Sequence, residues 1–134
     1  LQILLYQGRI RPSNESVWTY FQKSSKNLQE SKFKMVSSVM DLYWAVIDVS
    51  HAALMRLNEI PPSPAHVADM VEKKLIKTNL IEKKYSKTMQ KFYELSKKIE
   101  YRDIKEIKGS DYDKLYKEAD AYISRLKNFV EDYK

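Results

Sequence analysis

Cysteine is absent from this chain, which removes disulfides, thiolate metal sites and thiol nucleophiles together. It also makes the cytosol the expected compartment. Histidine is nearly as scarce: His51 and His66 are the only two, too few for a histidine-rich metal site. With two glycines and four prolines in 134 residues, the composition fits a helical globular chain better than a β-rich or disordered one. No Gly-rich phosphate loop, nucleophile elbow or His-Glu-x-x-His motif occurs. No uncharged apolar run reaches the length of a membrane span, because Asp41 and Asp48 interrupt the best candidate. The opening LQILLYQG is too short for a signal peptide and lacks its basic n-region. It also lacks an initiator Met, so a segment upstream is expected.

What is present is positive charge, unevenly spread. The net charge is +6. From Lys73 to Lys98 nine lysines face only Glu82 and Glu94, a local excess of seven. Lys77, Lys84, Lys91 and Lys98 recur every seven residues, which would form one ridge on a continuous helix. One reading is a solvated face; the other is attraction to phosphates in a nucleotide or nucleic acid. Lysine without interleaved arginine suits point-charge attraction rather than bidentate recognition.

The pattern of apolar residues is helical throughout. Residues 1–12 are read as a linker or the end of a preceding domain, with one or two helical turns over 2–8, and 13–134 as a helical bundle. Ser13 is the expected N-cap of a helix over about 14–30, with Glu15 favouring its positive end. Neither Gly nor Pro decides whether that helix breaks near Ser31. Residues 36–58 carry three charges, Asp41, Asp48 and Arg56, and predict a central helix wrapped by the others. It stops at Glu59-Ile60-Pro61-Pro62. Ser63-Pro64 starts a third helix with Val67, Met70, Val71, Leu75 and Ile76 inward, and Thr78-Asn79 interrupts it. A fourth, with Ile81, Tyr85, Phe92, Leu95 and Ile99 inward, runs to about Ile107, and Gly109 stops it. Ser110 to Asp113 reads as a capping box for a last helix buried through Leu115, Ala119, Tyr122, Leu126, Phe129 and Tyr133.

Few polar groups sit on the central helix. Asp41, Asp48 and His51 lie within roughly 80° of one another at 100° per residue, with Trp44 and Met55 between them. Three readings of this stripe are open: a hydrogen-bonded cluster inside the bundle, the lining of a cleft, or metal ligands completed by another helix.

The order of these elements resembles a known family. A long helix ending in Ala53-Leu54-Met55-Arg56-Leu57 is followed by a proline-containing loop and PAHVADMVEKKLI (64–76). Then come KKYSKTMQKFYELSKKIEYRDIKEIKG (83–109) and a closing EADAYISRLKNFV (118–130). Together they resemble HEPN-type helical domains, in particular the one following a minimal nucleotidyltransferase domain in archaeal proteins. GRIRPSNESV (8–17) looks like the start of such a domain. The similarity runs over about residues 8–131.

The resemblance implies an all-α, four- to five-helix up-and-down bundle, a homodimer, with no cofactor and no metal of its own. The implied role is a non-catalytic substrate-binding and dimerising domain serving a nucleotidyltransferase in the same or a partner chain. Its ligand would be a nucleotide or nucleic-acid phosphate. The residues assigned to it are Asp41, Asp48 and His51 along a cleft, and Lys97, Lys98 and Arg102 facing phosphate. Two alternatives stand beside it. HEPN ribonucleases of the toxin–antitoxin type carry Arg and, four to six residues on, His. This chain has Arg102 but no His after it, so a ribonuclease here would be degenerate, lacking its general acid/base. Arg102 as an i,i+4 partner of Glu106 is the structural alternative. The remaining reading is a pure interaction module whose aromatic helix, Tyr112 to Tyr133, mates with another chain.

Overall fold

The scarcity of glycine shows in how the helices end. A computed structural model describes residues 13–133, so the readings made for residues 1–12 lie outside the described residues. Of those described, 79% are helical and none lies in a strand. In order come α1 (Asn14–Arg56), α2 (Pro64–Val71) continued by a π-helical turn (Glu72–Ile76), a 3-10 turn (Lys83–Tyr85), α3 (Thr88–Glu100) and α4 (Gly109–Asp132). Behind α1, the π turn and α3 stands one residue with left-handed backbone: Asn58, Asn79 and Arg102, at φ near 60°. The N–H groups of Asn58 and Glu59 donate back to the carbonyls of Met55 and Leu54, both at 2.9 Å. Arg102 and Asp103 repeat this to Ile99 and Lys98, at 3.1 and 2.8 Å. Such paired bonds occupy carbonyls that a helix end leaves free, and glycine usually supplies the reversal. Asparagine tolerates it; arginine adopts it at a cost.

α1 is one unbroken helix of 43 residues, about 64 Å long at 1.5 Å per residue. Its start matches expectation: Ser13 is the N-cap and its Oγ accepts from the Ser16 N–H at 3.0 Å. No break occurs near Ser31, because nothing between Ser24 and Val39 opposes helix. The two halves of α1 differ sharply. Residues 13–34 are all exposed, whereas ten residues from Val36 to Leu54 are buried. Only the second half is therefore the centre of a bundle. It is not wrapped on every side: Trp44 and Met55 remain 52% and 58% exposed.

Around that half pack α2, α3 and α4. Val39, Val46, Ile47, Ala53 and Leu54 of α1 meet Val67 and Val71 of α2, Leu75, Phe92 of α3, and Tyr122 and Leu126 of α4 in one core. Large side chains buried in this way contribute roughly 1.5–3 kcal/mol each before entropy losses. A buried polar triad sits inside. Ser50 Oγ lies 2.6 Å from the Tyr122 hydroxyl, 2.8 Å from the Val46 carbonyl and 3.3 Å from the Met89 sulfur.

Three boundaries differ from the sequence reading. The fourth helix does not run from Ile81 to Ile107; residues 83–85 form a 3-10 turn and α3 spans Thr88–Glu100. Gly109 does not stop a helix but opens α4, and Lys108 rather than Ser110 occupies the cap position. Arg102's reversal ends α3 early, and an extended connector carries the chain to α4.

Candidate functional site: a lysine-lined cleft and a dispersed polar stripe

The residues singled out along α1 do not form a buried cluster. Asp41 and Asp48 are exposed and His51 is half-buried, so water satisfies them and no internal network is needed. Among the described residues no group of three acidic or histidine side chains could hold a metal ion. Of the three, Asp48 lines a depression. It lies with Ala45, Val49 and Ala52 against Ile123, Lys127, Val130 and Glu131 of α4, around a groove of about 510 Å³. That groove includes neither Asp41 nor His51. The i, i+7 spacing put both aspartates on one face of α1, but α4 covers that face only near Asp48.

Lys97 and Lys98 lie in the last turn of α3 and Arg102 just beyond it, and none of them lines Asp48's groove. Lys97 pairs with Glu100 at 3.2 Å and lies over the Tyr93 ring. The Glu100 carboxylate pushes the Lys97 pKa up, so the ammonium is already engaged. Lys98 and Arg102 are exposed. Arg102 is not an i,i+4 partner of Glu106: the residue lies outside α3, and Glu106 pairs with Lys32 of α1 at 2.9 Å. Arg102 is thus placed by the helix-ending turn rather than by a site. The two residue sets proposed from sequence do not converge.

The seven-residue lysine ridge does not form either, since it needs one continuous helix. Lys77 caps the π turn, Lys84 lies in the 3-10 turn, and Lys91 and Lys98 lie in α3. The break creates something else. The 3-10 turn and α3 set Lys84, Tyr85, Lys87 and Lys91, together with Gln90 and the acidic Glu94, opposite Glu118 and Ala121 of α4 around an open cleft of about 750 Å³. Lys91 is tied to both Glu118 oxygens at 2.8 Å. Lys84 lies over the Tyr85 ring, 5.1 Å from its centroid. Lys87 occupies the cap position of α3 without a side-chain cap, and no acidic residue lies in the first turn. The positive end of α3 and the lysines Lys84 and Lys87 therefore border one cleft, and Lys87 also borders a second depression with Asp69 and Glu72.

Next to the cleft, Arg125 of α4 clamps the same connector. Its Nε donates to Glu82 Oε2 at 2.8 Å and its Nη2 to the Leu80 carbonyl at 3.1 Å. The Glu82 carboxyl is held below its ordinary pKa by its own backbone N–H and by Arg125. Sequence reasoning noted these lysines but not their meeting with α4; the signal was the Thr78-Asn79 interruption, which breaks the helix just before them.

Comparison with protein-family models, curated proteins and solved structures finds no match for this chain.

Proposed function

We propose that this chain is a non-catalytic helical domain of the HEPN type that binds the phosphate-bearing part of a ligand for a nucleotidyltransferase. The observation that carries this reading is the cleft between the 3-10 turn, α3 and α4. It offers Lys87, Lys84 lying over the Tyr85 ring, and a helix N-terminus whose first turn has no acidic residue, with Glu118 of the same lining engaged by Lys91 and Glu94 by Gln90. Lysine ammonium groups attract phosphate as point charges, and backbone N–H groups at a helix start add partial positive charge. At about 750 Å³ the cleft falls in the size range of small-ligand sites. Chemistry itself would come from the partner enzyme's metal-holding acidic pair; among this chain's described residues no group of three acidic or histidine side chains could hold a metal ion.

The test is titration of the full chain with a nucleoside triphosphate at low and moderate salt. Binding should weaken as salt rises, and Lys84→Ala with Lys87→Ala should reduce affinity at least tenfold while Lys97→Ala and Arg102→Ala leave it unchanged. Binding lost in the Arg102→Ala variant, or RNA cleavage dependent on that residue, would instead favour the degenerate ribonuclease.

The interaction-module reading keeps support, but from another surface. Of the aromatic helix, Tyr122 and Phe129 are buried in the core while Tyr116 stays exposed beside Tyr112. The larger exposed apolar surface is the first half of α1.

A further inference from the structure

The 3-10 turn that brings Lys84 and Tyr85 to the cleft has little of its own to hold it in place. It spans Lys83–Tyr85, carries no side-chain cap and contains no buried residue. The chain enters the core before it at Ile81 and after it at Met89, and no side chain between those two is buried. As far as Ile81 the connector is tied to the π turn, the Leu80 and Ile81 N–H groups donating to the Leu75 carbonyl at 3.0 and 3.1 Å. Beyond it the bonds are local: the Tyr85 and Ser86 N–H groups donate to the Glu82 and Lys83 carbonyls at 3.1 and 3.0 Å. A short turn with so few buried contacts opens easily.

α4 supplies what the turn lacks. Glu118, Ala121, Tyr122 and Arg125 follow i, i+3, i+4, i+7 spacing, which places them on one face of the helix. Glu118 and Ala121 belong to the lining of the cleft. Tyr122 meets the Tyr85 ring edge-on, with centroids 6.2 Å apart. Arg125 grips the connector on both sides of Ile81. Its Nε lies 3.1 and 2.8 Å from the two Glu82 oxygens, and its Nη2 donates to the Leu80 carbonyl at 3.1 Å. Glu82 is the residue at the cap position of the turn. A planar guanidinium can serve two acceptors at a fixed angle; a lysine ammonium cannot do so with the same geometry. The Arg125 side chain is 29% exposed, the least of any cation in the described ion pairs. Neither Arg125 nor Glu82 lines the cleft; both line a smaller depression with Lys83. The guanidinium is therefore committed to the connector.

We infer that Arg125, acting through Glu82, is the positioning residue of the lysine-lined cleft. It fixes the 3-10 turn against α4, so that Lys84 and Tyr85 stand opposite Glu118 and Ala121. This rests on the phosphate-binding reading of that cleft.

The test turns on a sign. Removing the Glu82 carboxylate deletes a negative charge beside the cleft and frees the Arg125 guanidinium, so charge alone predicts tighter phosphate binding. Positioning predicts the reverse. If the unclamped turn spends about a tenth of its time in place, Glu82→Ala should weaken ATP binding to the full chain about tenfold. Arg125→Ala should weaken it as much, the double variant no further, and Glu82→Gln less, since the amide keeps an acceptor. Amide exchange of Tyr85 and Ser86 should accelerate in Glu82→Ala, while Phe92, Leu126 and the thermal transition of the bundle stay as in the wild type. ATP binding that is unchanged or tighter in Glu82→Ala would overturn the inference alone. So would unaltered exchange at Tyr85 and Ser86, or additive losses in the double variant. A wild-type chain that binds no ATP would overturn the phosphate reading itself, and the inference with it.

Discussion

The two halves of α1 share one helix, one apolar spacing and opposite surroundings. Val39, Leu42, Val46, Val49 and Ala53 continue the line begun by Val17, Phe21 and Leu28, at the same angular position on the helix. The former are buried, the latter exposed. Helical periodicity determines which face of a segment is apolar; it says nothing about whether another element covers that face. The buried half owes its stability to tertiary packing. The exposed half, the arm of α1, is held by what a helix possesses locally, namely its N-cap, its propensities and a nucleus already formed further along the chain.

This comparison is broken or upheld most directly by matched leucine deletions. Leu54 is fully buried and Leu28 is 64% exposed. Leu54→Ala should destabilise the bundle by about 2–5 kcal/mol through lost burial and a residual cavity. Leu28→Ala should change it by less than about 0.5 kcal/mol, as surface substitutions do, when urea unfolding is followed at concentrations too low for association. Similar losses at both positions would show that the arm folds against the bundle and that the two halves are equivalent.

A smaller effect is expected from the polar triad that only the buried half possesses. Tyr122→Phe removes a hydroxyl 2.6 Å from Ser50 Oγ and should cost about 1–2 kcal/mol, moderated because Ser50 keeps the Val46 carbonyl as acceptor. Burial pushes the Tyr122 pKa well above its ordinary value. The neutral phenol is therefore favoured by folding: its contribution is complete below the unfolded pKa near 10 and declines as pH rises beyond it. Alkaline unfolding monitored by tyrosinate absorbance should shift to higher pH in Tyr122→Phe relative to its own neutral-pH stability. An unchanged alkaline limb would show that Tyr122 is reached by solvent.

Much of the fold was legible before the structure. Ser13 and Ser63 mark helix starts, and the inward residues of α2 and α4 follow the spacing of their apolar side chains. What was not legible depended on pairing between elements. Asp41 and Asp48 repeat on one face, yet only Asp48 meets α4. Lys84 and Lys87 acquire a common cleft only because a 3-10 turn reverses the chain against α4. Gly109 carried the usual meaning of a helix stop, but the left-handed position had already been taken by Arg102, seven residues earlier. With so little glycine in the chain, the customary end marker is a poor guide.

That substitution of arginine for glycine gives the third prediction. A non-glycine residue in left-handed backbone costs about 1–2 kcal/mol. Arg102→Gly relieves this strain but adds freedom to the unfolded chain, so the net gain should be about 0.5–1 kcal/mol. Asn58→Gly, at the end of α1, should gain less, because asparagine already tolerates the conformation. Equal gains at the two positions would indicate that the Arg102 side chain makes no difference to its turn. A loss at Arg102 would show that its side chain stabilises the junction between α3 and α4.

The smallest effect on the bundle, and the sharpest test of the comparison, lies at the tip of the arm. Ser13→Ala removes the acceptor of the Ser16 N–H. At a typical helix this costs about 0.5–2 kcal/mol. Here that energy is confined to the arm: the cap holds the first turn, residues 13–34 are exposed, and the bundle begins only at Val36. The global unfolding midpoint should therefore be unmoved. Amide exchange of residues 17–22 should instead accelerate by roughly two- to thirtyfold, since about 0.5–2 kcal/mol corresponds to that factor in a local opening equilibrium. Protection around Val46 and Leu54 should not change. If the midpoint falls together with the local protection, the arm and the core unfold as one unit. The contrast between the two halves would then describe their exposure but not their energetics. If only the tip opens, the arm is a local helix propagated from a tertiary nucleus, free to be ordered further by whatever binds its apolar stripe.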